Sequence, residues 1–327
     1  MARDLRLDTI KGLLIILVVM GHVITGLDNV NVINHGVMGL IYIFHMPLFI
    51  LISGYLTKHP AQQRPIEMWK SVGNIMLTLV VFHLLSAVKF YVTHGIFIKP
   101  LVDFPFGILW YLFSLICWRI MLYYTPKRLL NQPLLYFAIA IVVSLLIGLT
   151  HLGRFLSIQR TLNFYLFFLM GFYYRQGVFN TRLWHNNKLH ACVALVVLPL
   201  LFYFYPRCGN VMNGADYYGL AGLPQKALVL TGSIAMSLLV FNLTRFNRWL
   251  CSIGKDSLFY YVYHIFVLAY TVSPLVPAYQ LPRTLPFIVL YTALTMGILY
   301  LMSKIKFFWW LLHPTLPKRS KSPSAEH

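Results

Sequence analysis

Acidic residues are scarce in this chain: eight Asp and Glu stand against 27 Lys and Arg in 327 residues. With most of the eight near segment ends, the chain is poorly supplied for a carboxylate pair of the glycosidase kind, or for an Asp/Glu proton relay across a membrane. Cysteine is equally sparse. Cys117, Cys192, Cys208 and Cys251 fall in different segments without CxxC spacing, so neither a disulfide framework nor a metal site is expected. HExxH, GxSxG, Walker A and GxGxxG motifs are absent, as are internal repeats and low-complexity tracts.

What fills the chain is apolar. Hydrophobic residues make up 59% and aromatics 16%, while charged residues supply only 11%, far below the quarter usual in soluble domains. Windows of near 20 apolar residues predict an all-α polytopic membrane protein, a bundle of about ten transmembrane helices. The expected spans are 10–27, 36–57, 72–93, 106–124, 133–150, 160–177, 190–206, 225–244, 257–276 and 285–303. Short connections leave no room for a separate soluble domain. Residues 1–313 are expected to form one integral membrane domain, and 314–327 a polar cytoplasmic tail. The first run contains His22, lacks a small-residue cleavage site and leads into a second span, so it is expected to stay as a helix and not to be removed as a signal peptide.

The net charge of +19 reflects orientation. With a cytoplasmic N-terminus, alternate loops carry Arg3, Arg6, Lys58, Arg64, Lys70, Lys127, Arg128, Arg175, Arg182, Lys188, Arg245, Arg248 and Lys255, and the tail adds Lys318, Arg319 and Lys321. The opposite side carries Lys99, Arg154, Arg160, Arg207, Lys226 and Arg283. This asymmetry predicts both termini in the cytoplasm, and a bilayer with anionic lipid, not nucleic acid, as the partner of the positive charge.

Against this background a few polar residues stand out. Lys11 and His22 lie in one apolar run, and eleven positions at about 100° each make roughly three turns, so both share a face about 16 Å apart along the axis. Asp8 joins that face one turn earlier. Intramembrane ionisable groups usually face a bundle interior or a wet cavity; an interfacial Asp/Lys anchor with a hydrogen-bonded core histidine also fits. In the second span His45 is expected at the depth of His22, and Pro47 to loosen the helix beside it; a structural imidazole is the alternative.

Arg160 opens the sixth span among Ser157, Thr161 and Asn163, a set suited to a polyhydroxylated ligand, although a snorkelling anchor would look the same. Trp110 begins the fourth span, where stacking on a sugar competes with an aromatic-belt role. Tyr260 and His264 form an i, i+4 pair that would line an inner vestibule. Asp256 or Ser257 can cap their helix, and His83, among apolar neighbours, is expected to be a packed core residue. Histidine-centred chemistry with a cation about three turns nearer the cytosol suits a base acting on a hydroxyl while the cation holds a phosphate-bearing donor. A transporter or flippase of a glycolipid or polyol is the rival reading, and a non-catalytic scaffold in polysaccharide assembly a further one.

Taken together, Asp8, Lys11 and His22, then Phe44-His-Met-Pro-Leu-Phe-Ile-Leu-Ile-Ser-Gly54, then Ser-Leu-Phe-Tyr-Tyr-Val-Tyr-His264, resemble the acyltransferase-3 membrane O-acyltransferases over nearly the whole chain. Leu109-Trp-Tyr-Leu112 and Ser157-x-x-Arg160-Thr161 look like its fucose 4-O-acetylase-like branch. The resemblance implies a ten-helix, multi-pass enzyme of the bacterial cytoplasmic (inner) membrane, moving acetyl from acetyl-CoA onto a hydroxyl of a cell-envelope polysaccharide or lipid-linked sugar. No bound cofactor or metal is implied, and self-association into a homo-oligomer is left open. His22, with Asp8 and Lys11, would be catalytic; His45, Ser157, Arg160, Trp110, Tyr260 and His264 would bind substrate. Lysine at position 11, where the family commonly has arginine, keeps the charge without the bidentate fork.

Overall fold

The computed structural model describes residues 3–27, 32–95, 104–105, 107–150, 152, 155–204 and 219–313. Lys99, His151, Arg154, Arg207, Cys208 and the 314–327 tail lie outside the described residues. Within them the chain is helical, without a β-strand. The helices of seven residues or more are α1 (Leu5–Thr25), α2 (Val32–Leu56), α3 (Pro65–His94), α4 (Trp110–Tyr124), α5 (Pro133–Leu146), α6 (Ile158–Arg175), α7 (Asn187–Phe204), α8 (Leu223–Leu243), α9 (Arg248–Lys255), α10 (Ser257–Tyr270), α11 (Val272–Ala278), α12 (Leu285–Met302) and α13 (Lys306–Leu312).

Each of the ten expected spans overlaps one or two of these helices. Among the described residues seven segments are long and apolar enough to cross a membrane, with α10 and α11 counted as one, and two more apolar helices are shorter. The ninth span is interrupted at Thr271, whose φ of −124° and ψ of −89° separate α10 from α11. Pro47 sits inside α2, which is assigned as helix on both sides of it.

Two glycine pairs set the innermost crossings. A methyl group on Gly54 would run into the Phe168 carbonyl, and one on Gly171 into the Leu51 carbonyl, so α2 and α6 touch backbone to backbone. Likewise Gly12 meets the Leu250 carbonyl and Gly254 the Asp8 carbonyl, pressing α1 against α9. In lipid, where tails are as apolar as leucine, such small-residue contacts are a main source of helix association.

The start of α1 is fixed by polar chemistry. Asp4 caps it, accepting hydrogen bonds from the Arg6 and Leu7 amides. The Arg6 guanidinium donates to the carbonyls of Phe241, Asn242 and Thr244 and lies over the Phe241 ring, satisfying carbonyls left open at the end of α8. α1 then packs against α2, α9, α10 and α12, which makes it a central element of the bundle.

Candidate functional site

On α1, Asp8 is buried at 3% exposure and joins two cations: Lys11 Nζ at 2.8 Å and Arg3 Nε at 2.5 Å. The Asp8 carboxylate raises the pKa of Arg3 from its ordinary value by hydrogen bonding to its charged form. Asp256, at the junction of α9 and α10, occupies the N-cap position of α10 but makes no side-chain capping bond, contrary to the sequence expectation. Burial pushes its carboxyl above the usual range.

Three turns along α1, the half-buried His22 ring sits 5.1 Å, centroid to centroid, from the ring of His264 on α10, with the planes tilted by 33°. His264 is fully buried. Its Nδ1 faces the carbonyls of Tyr261 at 2.7 Å and Tyr260 at 3.2 Å, and since a carbonyl only accepts, Nδ1 carries the hydrogen. In the neutral ring Nε2 is then the bare acceptor, and it is buried with no hydrogen-bond partner. His45 repeats the arrangement: it is buried, and Nδ1 donates to the Ile41 carbonyl at 2.8 Å, one turn back along α2. His45 lies within electrostatic reach of His22, and its ring meets that of Tyr42 edge-on at 5.0 Å. Three histidines from three helices therefore converge.

Arg160 of α6 joins this group from the side. Its guanidinium carbon lies 5.5 Å above the Trp110 ring, and its charge reaches Tyr42 and Tyr261. Ser157 is buried, and its carbonyl accepts from the Thr161 hydroxyl at 2.9 Å. Leu156 and Ser157 have φ of 44° and 51°, left-handed values that non-glycine residues adopt at a cost of roughly 1–3 kcal/mol each. Held strain of this kind sets the entry angle of α6 and thus the position of Arg160. Asn163, two residues past Thr161, accepts hydrogen bonds from Ser144 and from the buried Lys226. Lys226, counted from the sequence as an outer-side charge, is inside α8.

Below the histidines, a cavity of about 430 Å³ is lined by Lys11, Ser53, Tyr111, Tyr261, Arg119 and His313 among others. A second cavity, of about 480 Å³, shares Leu56, Ser71, Asn74 and Arg119 with it and adds Lys58, Glu67 and Lys70. Lys58 and Lys70 belong to the side assigned by charge to the cytoplasm. At the deep end Tyr111 is held by a 2.7 Å hydrogen bond to Ser53 Oγ, and Tyr261 by the Ile108 carbonyl. Tyr261 packs between the Tyr111 ring, at 5.4 Å, and the His264 ring, at 6.2 Å.

Of the residues singled out in the sequence, His22, His45, His264, Arg160 and Trp110 are brought into one neighbourhood. Lys11, with Asp8 beside it, lines the lower cavity. Tyr260 is buried but lines neither cavity; its neighbour Tyr261 takes that place, because the chain of ring contacts from His264 runs through Tyr261. His83 is buried and meets the Phe104 ring edge-on at 5.0 Å. Arg119 was missed. A lone arginine inside the apolar Trp110–Tyr124 run is its sequence signal.

Comparison with known proteins gives the family. Residues 4–304 match the acyltransferase-3 family, described as "Acyltransferase domain". The nodulation protein NolL of Sinorhizobium fredii (strain NBRC 101917 / NGR234) is 30% identical over 281 residues, covering 76% of this chain and 71% of NolL. No solved structure matches. Matched along almost its whole length, this chain of apolar helices belongs to the acyltransferase-3 family of membrane acyltransferases.

Proposed function

We propose that this chain is an O-acetyltransferase of the bacterial cytoplasmic membrane that moves acetyl from acetyl-CoA to a hydroxyl of a cell-envelope polysaccharide or lipid-linked sugar, with both termini in the cytoplasm. The observation that carries the reading is the His22–His264 pair standing above a cation-lined cavity on the side of the basic loops. In this reading the 314–327 tail lies on the cytoplasmic side with them.

In this mechanism His22 removes the proton of the acceptor hydroxyl as the oxygen attacks the thioester carbonyl carbon. The carbon–sulfur bond breaks, and the CoA sulfur leaves as the thiol with the proton that the imidazole took. A covalent route is stoichiometrically equivalent: a His22 nitrogen takes the acetyl first, releasing CoA, and the sugar hydroxyl then receives it. His264, its tautomer fixed by two carbonyls, offers Nε2 to order the His22 ring and the reacting hydroxyl. Lys11, oriented by Asp8, supplies positive charge for the donor phosphates. Arg160 stabilises the developing oxyanion, a contribution of about 3 kcal/mol for a well-placed donor, and His45, whose Nδ1 hydrogen is committed to the Ile41 carbonyl, offers Nε2 as an acceptor to a hydroxyl of the sugar. Trp110 offers an aromatic face to a sugar ring, and Ser157 fixes the turn that presents Arg160.

The test is transfer of radiolabelled acetyl from acetyl-CoA in membranes expressing the wild type or His22→Ala. Label on an envelope glycan in the wild type alone supports the assignment. Equal transfer by both, with both proteins present at equal level, sinks the role of His22. Translocation of a glycolipid that is insensitive to acetyl-CoA would favour the transporter reading.

A further inference from the structure

Arg119 stands where the two lower cavities meet, lining both. It lies on α4 five residues before Tyr124, about 7.5 Å along the helix from that end. Its Nη1 donates to Ser71 Oγ at 2.5 Å, while Nε is buried with no hydrogen-bond partner. Among the described residues no carboxylate lies within 4.0 Å of it.

The other charges along this passage differ. Lys11 is held by Asp8 at 2.8 Å, and Asp8 is also held by Arg3. Lys58 faces Glu67 at 3.9 Å, a carboxylate that Arg64 already holds at 2.8 Å, and Lys70 is exposed at the mouth. Arg119 is thus a guanidinium kept within the bundle without an opposing carboxylate. Intramembrane charge of this kind is costly and is usually offset by a partner. The partner that suits a planar fork with spare N–H groups is a phosphate, bound through parallel hydrogen bonds.

We propose that Arg119 binds a phosphate group of the acyl donor, so that the thioester arm extends from this junction into the inner cavity, toward the Tyr111–Tyr261 wall beneath the histidines. The inference rests on acetyl-CoA being the donor. It assigns the phosphate contact to α4, in addition to the Asp8-bound Lys11 of α1, and makes Ser71 the group that holds the guanidinium in place.

The test compares acetyl-CoA with acetyl-pantetheine, which has the same thioester and no phosphate, as donors to endogenous envelope acceptor in membranes carrying the wild type, Arg119→Gln, Arg119→Lys or Ser71→Ala. Removal of a charge-assisted phosphate contact is expected to raise KM for acetyl-CoA at least about tenfold in Arg119→Gln, while KM for acetyl-pantetheine moves less than twofold. Arg119→Lys should recover part of the loss, and Ser71→Ala should keep the preference for the phosphorylated donor. Equal KM increases with the two donors, or no increase, would overturn the proposal, the first because Arg119 would then only tie α4 to α3. Binding of CoA to purified protein, measured by calorimetry, covers a variant without activity: wild-type affinity in Arg119→Gln overturns the inference, and affinity reduced at least tenfold supports it. Loss of co-purifying anionic phospholipid from Arg119→Gln, with the acetyl-CoA KM unchanged, would assign the arginine to a lipid headgroup and overturn the donor contact. A wild type that binds no CoA and transfers no acetyl defeats the donor reading itself, and is distinct from any result confined to the Arg119 variants.

Discussion

The imidazole of His264 lies 5.1 Å from that of His22, and the two rings come from opposite ends of the sequence. One hangs from the central helix of the bundle. The other has its Nδ1 hydrogen committed to the carbonyls of Tyr260 and Tyr261, so its free nitrogen is defined by the fold and not by titration.

A pair of substitutions at His264 separates that nitrogen from the bulk of the ring. Asparagine can reproduce the Nδ1 donor, whereas glutamine places a polar atom near Nε2. His264→Asn should retain expression and melting temperature yet lose transfer by about 10²- to 10⁴-fold, the usual range for a lost acid–base partner. His264→Gln should retain more activity than His264→Asn. Labelled acetyl transfer together with a thermal melt in detergent reads both, and equal activity of wild type and His264→Asn would remove Nε2 from the chemistry.

Acceptor recognition is expected to depend on Arg160 and Trp110 together. The guanidinium lies 5.5 Å over the indole, a geometry that contributes about 0.5–2 kcal/mol as a cation–π contact. Trp110→Ala should therefore raise the acceptor KM roughly two- to thirtyfold and leave the acetyl-CoA KM near that of the wild type. Trp110→Phe should fall between. A parallel rise in the KM of both substrates would indicate instead that the indole supports the bundle as a whole.

The α2–α6 crossing gives a stability prediction with an internal control. Gly171→Ala pushes a methyl into the Leu51 carbonyl, which has no flexible side chain to move aside, and should lower stability by about 1–3 kcal/mol. Gly73, on the exposed face of α3, has nothing within 4 Å of the same added atom. Gly73→Ala should leave the melting temperature unchanged or raise it slightly, since alanine is the better helix former by about 1 kcal/mol in aqueous hosts. Equal melting temperatures for the two variants would show that the crossing relaxes to accept the methyl.

The helices were legible because hydropathy reports the solvent around a segment, and lipid leaves the backbone few alternatives to helix. The stripe of Asp8, Lys11 and His22 was legible for a related reason: all three lie on one helix, where spacing alone fixes a shared face. What periodicity does not carry is the partner across the gap. That His22 meets His264 depends on α1 packing against α10, a contact between distant parts of the chain. The i, i+4 spacing from His264 points to Tyr260, yet Tyr261 is the residue that packs against Tyr111 and lines the cavity. Arg119 is not legible in this way because its neighbours Cys117, Trp118 and Ile120 read as an ordinary span, and its hydrogen-bond partner, Ser71, is on another helix.

Trp110 and Tyr111 are consecutive, yet one lies under Arg160 and the other lines the lower cavity. The aromatic wall beside that cavity is held by a hydrogen bond between the Tyr111 and Ser53 hydroxyls and by one from the Tyr261 hydroxyl to the Ile108 carbonyl. An open conduit at this point would dissipate the ion gradient of the membrane that houses it. A wall whose two hydroxyls are tied to the bundle in this way stays sealed beside the cavity.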